Sequence, residues 1–140
     1  MLESNATERI IGCAIEVHRF MGPGLLESVY EDCLAMELNL KGLQYERQRP
    51  VQLEYKGRRL GVDLRIDLLV EDRVVVELKS VEKVLPVHEA QVITYLRLTA
   101  KPFGLLINFN VPLLKDGIRR FLNPHLLRGS VPPCEKLDGR

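Results

Sequence analysis

Apolar positions recur at helical spacing over the first part of the chain. Ile10, Ile11, Ala14, Ile15 and His18 lie on one helical face, and Asn5 followed by Glu8 resembles a capping box ahead of them. A first helix is predicted from about Thr7 to Phe20, ended by Gly22-Pro23-Gly24. A second is predicted from about Glu27 to Lys41, with Val29, Cys33, Met36 and Leu40 along one face and Gly42 suited to the left-handed conformation at its end. From Leu43 the period falls to two. Val51, Leu53 and Tyr55 alternate with polar residues, Lys56-Gly57 signals a turn, and strands are expected over Leu60–Leu64, Ile66–Val70 and Val74–Leu78. Pro86 suits the first turn of a helix reaching about Thr99, and Phe103–Phe109 is apolar enough for a strand buried on both faces. A short helix is predicted around Lys115–Leu122.

This order is helix, helix, strand meander, helix, buried strand. The helix at Pro86 can cross over to place the last strand parallel to its neighbour. The predicted class is α/β, with a mixed central sheet flanked by helices. One domain is expected over residues 1–123, followed by an irregular tail over 124–140 that contains Pro124, Pro132 and Pro133.

Composition narrows the reading. With 140 residues, 46% of them apolar and 28% charged, the chain can bury a core without staples, and it is not of the disordered class. Net charge is only +1, which excludes a polybasic tail, but the charge is unevenly spread. Residues 1–40 sum to −5, 41–65 to +4, 66–100 to −2 and 101–140 to +4. Cys13, Cys33 and Cys134 form no metal-type pair, and Cys13 and Cys33 fit as small buried hydrophobes. An odd cysteine count and the lack of a secretory pattern in MLESNATER suggest a reducing cytoplasm. No apolar run approaches the roughly 18 residues of a membrane span.

The stretch Asp67 to Lys79 carries the chemistry. Asp67 interrupts Ile66-Asp67-Leu68-Leu69-Val70, and Glu77 and Lys79 follow Val74-Val75-Val76. A charge in a buried strand is costly unless paired or liganded. Glu77 and Lys79, two apart, share a strand face. A three-residue loop, Glu71-Asp72-Arg73, would set position 70 against 74 and 67 against 77; a two-residue loop would separate the carboxylates. Two carboxylates sharing a site repel, and a hard divalent ion such as Mg²⁺ or Mn²⁺ relieves that repulsion. The same triplet also suits a structural ion pair.

Asp67 followed by Glu77-Leu78-Lys79 resembles the signature of the PD-(D/E)XK nuclease superfamily, except that Ile66 stands where its leading proline would be. Gly24-Leu25-Leu26-Glu27-Ser28-Val29-Tyr30 is similar to the naming motif of the GxxExxY proteins. Asp67–Val70, Val76–Lys79, Pro86–Gln91 and Gly104–Phe109 add resembling blocks, together covering roughly residues 8–122. The resemblance implies a restriction-endonuclease-like core and a nuclease using Mg²⁺ or Mn²⁺. It implies that Asp67, Glu77 and the Leu78 carbonyl are metal ligands, that Lys79 is the catalytic lysine, and that Glu27 is a helix glutamate reaching the metal. Gln91 and Tyr95 resemble the Q-x-x-x-Y motif of RecB-type nucleases, and His88 shares their helix face. Gln91 is expected to assist catalysis, and Tyr95 and His88 to meet the nucleic acid. Tyr30 is expected to pack with its hydroxyl bonded.

Basic residues near the meander, Arg58, Arg59 and Arg65 among them, would bind phosphates without reading sequence. No helix-turn-helix or zinc finger is visible. Three functions fit these residues: a metal-dependent nuclease acting on DNA or RNA; a catalytically weak or inactive nuclease-fold module that binds nucleic acid or a protein; and a structural homodimer with Asp67, Glu77 and Lys79 as an ion-pair cluster.

Overall fold

The computed structural model describes residues 2–127. The elements are α1 (Leu2–Met21), α2 (Glu27–Leu40), β1 (Tyr45–Val51), β2 (Glu54–Tyr55), β3 (Arg58–Arg59), β4 (Leu64–Val70), β5 (Val74–Lys79), α3 (Pro86–Thr99), β6 (Phe103–Asn108), a 3₁₀ turn (Leu114–Gly117), β7 (Ile118–Leu122) and α4 (Pro124–Leu127). Five strands form one sheet in the order β1-β4-β5-β6-β7, while β2 and β3 pair only with each other. All neighbours in the sheet are antiparallel except β5 and β6. The crossover through α3 makes that parallel pair possible, since parallel strands cannot be joined by a tight turn.

The sheet separates two cores. On one face Ile10, Ala14, Tyr30 and Leu34 of α1 and α2 meet Leu68, Val70, Val76, Leu78, Leu105 and Ile107. On the other, Val92, Tyr95 and Leu96 of α3 meet Ile66, Leu69, Val75 and Leu106. With both faces covered, β5 and β6 are buried almost throughout, which is why their sequences are apolar runs rather than alternations. Helix α3 lies close to the sheet at Gly104, where an added Cβ would fall 2.8 Å from Val92 Cγ1.

Several predicted elements change. Helix α1 begins at Leu2, so Asn5 lies inside it; nothing between Leu2 and Thr7 breaks a helix, and Ala6 extends the buried stripe. Ile15 lies outside that stripe, 41% exposed. The predicted apolar face of α2 is not its buried one: Val29 and Cys33 are only partly buried. Met36 and Leu40 are 65% and 72% exposed, whereas Tyr30, Leu34, Ala35 and Leu38 are buried. Residues 60–63 are not a strand, and β4 starts at Leu64. The helix expected over Lys115–Leu122 is one 3₁₀ turn followed by β7, because pairing with β6 offers Ile118–Leu122 a ladder of hydrogen bonds. Pro124–Leu127 makes one helical turn, and Cys134 and the rest of the tail lie outside the described residues. Cys13 is buried and Cys33 partly so.

Candidate functional site

The site lies where β4 parts from β5. Val70 pairs with Val74 and Leu68 with Val76, and the pairing stops there. The connecting loop is Glu71-Asp72-Arg73: Glu71 and Asp72 both have φ 55°, and Arg73 N–H donates to the Val70 carbonyl at 3.0 Å. The odd loop length that the carboxylate pair requires is therefore present. On its other side, β4 pairs with β1 except opposite Gln48, whose φ is 52°. The facing pattern of β4 changes across this gap. Leu68 and Val70 belong to the α1–α2 core, but Ile66 belongs to the α3 core. Asp67 occupies the break, where a strand loses its regular alternation.

The two carboxylates brace the fork. Glu77 Oε2 accepts the Asp67 N–H at 2.9 Å, and Asp67 Oδ2 accepts the Leu78 N–H at 2.8 Å. These side chains replace ladder bonds that the separated strands no longer make. Glu77 is 3% exposed, and among the described residues no hydrogen bond reaches its Oε1. Burial, reinforced by the charge of Asp67, pushes its carboxyl up to about 8. Burial also raises the Asp67 carboxyl, with Glu31 adding to the effect and the Leu78 N–H, Gln48 and Lys79 opposing it.

Backbone direction supplies a third oxygen. Phe109 N–H donates to the Lys79 carbonyl at 2.9 Å, so Lys79 bonds toward β6. Neighbouring residues of a strand bond in opposite directions, which turns both the N–H and the carbonyl of Leu78 toward the fork. Lys79 is partly buried and makes no ion pair among the described residues, yet its charge lowers the carboxyls of both Asp67 and Glu77. Beyond it, Ser80 and Val81 are pinned. Ser80 Oγ donates to the Leu25 carbonyl at 2.5 Å, and Asn108 exchanges two hydrogen bonds with the Val81 backbone.

Glu27 reaches this strand end without joining the pair. Its Oε2 accepts the Ser80 N–H at 3.4 Å, and it remains exposed. Tyr30 explains the local motif: its hydroxyl donates to the Gly22 carbonyl at 2.5 Å and accepts the Leu25 N–H at 3.1 Å, while its ring stacks on Phe109 at 4.3 Å. The tyrosine thus fixes the glycine loop that leads into Glu27.

On α3, Gln91 Nε2 donates to the Tyr95 hydroxyl at 3.4 Å. Burial raises the Tyr95 hydroxyl pKa, and the charges of Glu77 and Asp67 add to it, which sets this pair beside the fork. His88 is occupied differently: its Nδ1 accepts the Leu85 N–H at 3.0 Å, closing the first turn of its own helix. Arg65 is paired with Asp63 at 2.7 Å, and Arg58 and Arg59 sit on β3, outside the five-stranded sheet.

Two polar residues of the site were not singled out in the sequence. Gln48 Nε2 donates to Glu31 Oε1 at 2.8 Å and to Asp67 Oδ1 at 3.3 Å, linking α2 to the fork. Glu31 is also held by Arg47 at 3.0 Å. The available signal was the i, i+4 spacing of Glu27 and Glu31, which puts both on one side of α2.

Oxygens from Asp67, Glu77 and the Leu78 carbonyl suit a hard divalent cation, which keeps several waters and takes one or two carboxylates. A buried carboxyl raised to about 8, with one oxygen lacking a hydrogen bond among the described residues, is a group that such a charge would stabilise. Among the described residues no cluster of three or more His, Cys, Asp or Glu side chains is poised to hold a metal, so the arrangement fits a two-carboxylate site rather than a closed cage. The groove of about 440 Å³ lined by Arg9, Cys13, Glu16 and Lys41 contains none of these groups. No described helix is long and apolar enough to cross a membrane.

The sequence model of the PD-(D/E)XK nuclease superfamily matches residues 4–121. No curated protein and no solved structure gives a significant match.

Proposed function

The chain belongs to the PD-(D/E)XK nuclease superfamily, and from that premise we propose that it hydrolyses phosphodiester bonds of DNA or RNA with Mg²⁺ or Mn²⁺. The observation that carries the reading is the buried pair at the fork, where Asp67 and Glu77 each hold the other's strand and Glu77 is raised to about 8. Asp67, Glu77 and the Leu78 carbonyl would hold the cation. When bound, it would polarise a phosphate oxygen and acidify the attacking water.

The chain's own groups have separable tasks. Lys79 sets a positive charge beside the carboxylates, where negative charge develops on the phosphate, and no acidic side chain among the described residues neutralises it through an ion pair. Gln91 offers amide hydrogens from the α3 side, with Tyr95 fixing its orientation. Gln48 and Glu31 hold Asp67 from the α2 side. Cleavage in this reading occurs in the cytoplasm.

The test is cleavage of labelled single- and double-stranded DNA and RNA with Mg²⁺ or Mn²⁺, by wild type and Asp67→Ala, with a chelator control. Turnover by wild type that is lost in the variant and in chelator is expected. Equal cleavage by both proteins would refute the assignment. A second reading, a nuclease-fold module that binds nucleic acid with little turnover, draws on the absence of a third clustered ligand among the described residues. Salt-sensitive binding without metal-dependent cleavage would establish it.

A further inference from the structure

The β2–β3 hairpin belongs to neither core. Glu54 pairs with Arg59 and Tyr55 with Arg58, and Leu60 N–H donates to the Leu53 carbonyl at its base, 2.9 Å away. Its turn, Lys56-Gly57, has φ values of 52° and 80°, the left-handed pair whose twist matches a two-residue hairpin. Every residue from Glu54 to Arg59 is exposed. An isolated two-stranded hairpin is marginal in water, so a ribbon that buries nothing is not explained by stability.

Its charges differ from those nearby. Arg47 is paired with Glu31 and Asp32, Arg49 with Glu46, and Arg65 with Asp63. On the ribbon, the side chains of Arg58 and Arg59 make no ion pair or hydrogen bond among the described residues, and Lys56 stands over the Tyr55 ring, 5.4 Å from its centre. Glu54 is its one acidic residue, and it forms no ion pair with Arg59 opposite. Three cations outside any ion pair among the described residues, one of them over the exposed Tyr55 ring, thus occupy a six-residue tip of net charge +2.

The ribbon's position is informative. It connects the end of β1 to the start of β4, where Val51 pairs with Leu64. Asp67 follows three residues later, so the ribbon springs from the end of the sheet at which the fork opens. We infer that the β2–β3 ribbon is a phosphate-gripping wing: Lys56, Arg58 and Arg59 hold the nucleic-acid backbone beside the carboxylate pair, and Tyr55 gives a flat surface against sugar or base. The choice of nucleic acid as partner rests on the nuclease reading; the division of cations into those inside and those outside ion pairs among the described residues does not. Contacts of this kind position a strand without reading its sequence.

The test is binding in chelator, so that no cleavage intervenes. Fluorescence anisotropy is followed across a salt series with labelled duplex and single-stranded DNA and RNA. Each phosphate contact contributes roughly 0.9 to the slope of log affinity against log salt on duplex DNA. The variant Lys56→Ala/Arg58→Ala/Arg59→Ala should lower that slope by about 2.7 and weaken low-salt binding by about tenfold or more. Its melting temperature should match wild type, because these side chains are exposed. Arg97→Ala/Lys115→Ala, removing cations from α3 and the 3₁₀ turn, should leave the slope near wild type. Asp67→Ala should also keep the wild-type slope while losing cleavage, so failure of the catalytic reading and failure of the wing are told apart. A triple variant with the wild-type slope on every polymer, or a wild type with no salt-dependent affinity for any of them, would overturn the inference.

Discussion

Replacing Glu77 with glutamine tests the electrostatics of the fork directly. The glutamine oxygen can still accept the Asp67 N–H that Glu77 accepts at 2.9 Å, and the volume hardly changes. What disappears is a charge whose carboxyl moves from 4.5 when unfolded to about 8 when folded. Between those values the folded state binds more protons than the unfolded state, so stability falls as pH rises. Below 4.5 both states are protonated and Glu77 costs nothing; above about 8 both are ionised and the loss is complete. At about 1.4 kcal/mol per pH unit, the loss reached at pH 7 is about 3 kcal/mol, most of it accrued above pH 5. The raised Asp67 carboxyl acts in the same direction. Urea unfolding in chelator from pH 5 to 8 should therefore show Glu77→Gln gaining on wild type by on the order of 2–3 kcal/mol between pH 5 and 7. Mg²⁺ or Mn²⁺ should recover much of that loss in wild type and little in the variant, since a ligand stabilises only the form that binds it. A wild-type-to-variant difference that stays constant across this range would refute the claim that burial and Asp67 hold Glu77 protonated.

Three further changes examine the packing of the frame. Asn108→Ala removes a buried amide that bonds the Val81 N–H, the Val81 carbonyl and the Asn110 N–H at 3.0, 2.9 and 3.2 Å, and should cost about 2–4 kcal/mol in urea unfolding by leaving backbone groups unsatisfied. Gly117→Ala would set a Cβ 2.2 Å from the Asn108 carbonyl oxygen and should destabilise by about 2 kcal/mol or more, whereas Gly12→Ala, with nothing within 4 Å in the middle of α1, should stabilise by about 0.5–1 kcal/mol; thermal melts of both should show opposite signs.

Where two local constraints agree, the sequence was legible. Pro86 at a first turn and an apolar stretch after Thr99 located α3 and β6, and the structure begins and ends α3 at those residues. The register of β4 and β5 was narrowed to two choices by the period of two, and the structure takes the one with the odd-length loop Glu71-Asp72-Arg73. Helix α2 was located, but its buried face was missed for the opposite reason. Tyr30-Leu34-Leu38 and Val29-Cys33-Met36-Leu40 are both apolar at helical spacing, so periodicity did not choose between them. The choice is made by tertiary partners far along the chain: Phe109 stacks on Tyr30, and Arg47 and Gln48 satisfy Glu31, which lies on the buried side. His88 shows the same limit at one residue. Its spacing placed it with Gln91 and Tyr95, but its Nδ1 accepts the Leu85 N–H, a donor that a helix start leaves without an intrahelical partner.

The fork itself was hidden most completely. Strict alternation along β4 would put Ile66, Leu68 and Val70 on one face, yet Ile66 faces the α3 core and the other two face α1 and α2. The cause lies in the partner strand, where Gln48 takes a left-handed φ of 52° and opens the ladder opposite Asp67. A glutamine carries no signal for that conformation, which usually falls to glycine or asparagine. Its side chain supplies the reason the position is kept: the amide bonds Glu31 and Asp67 together across the gap. The break that frees Asp67 from the sheet and the hydrogen bond that steadies it thus come from one residue, in a strand whose own pattern of alternation gave no sign of either.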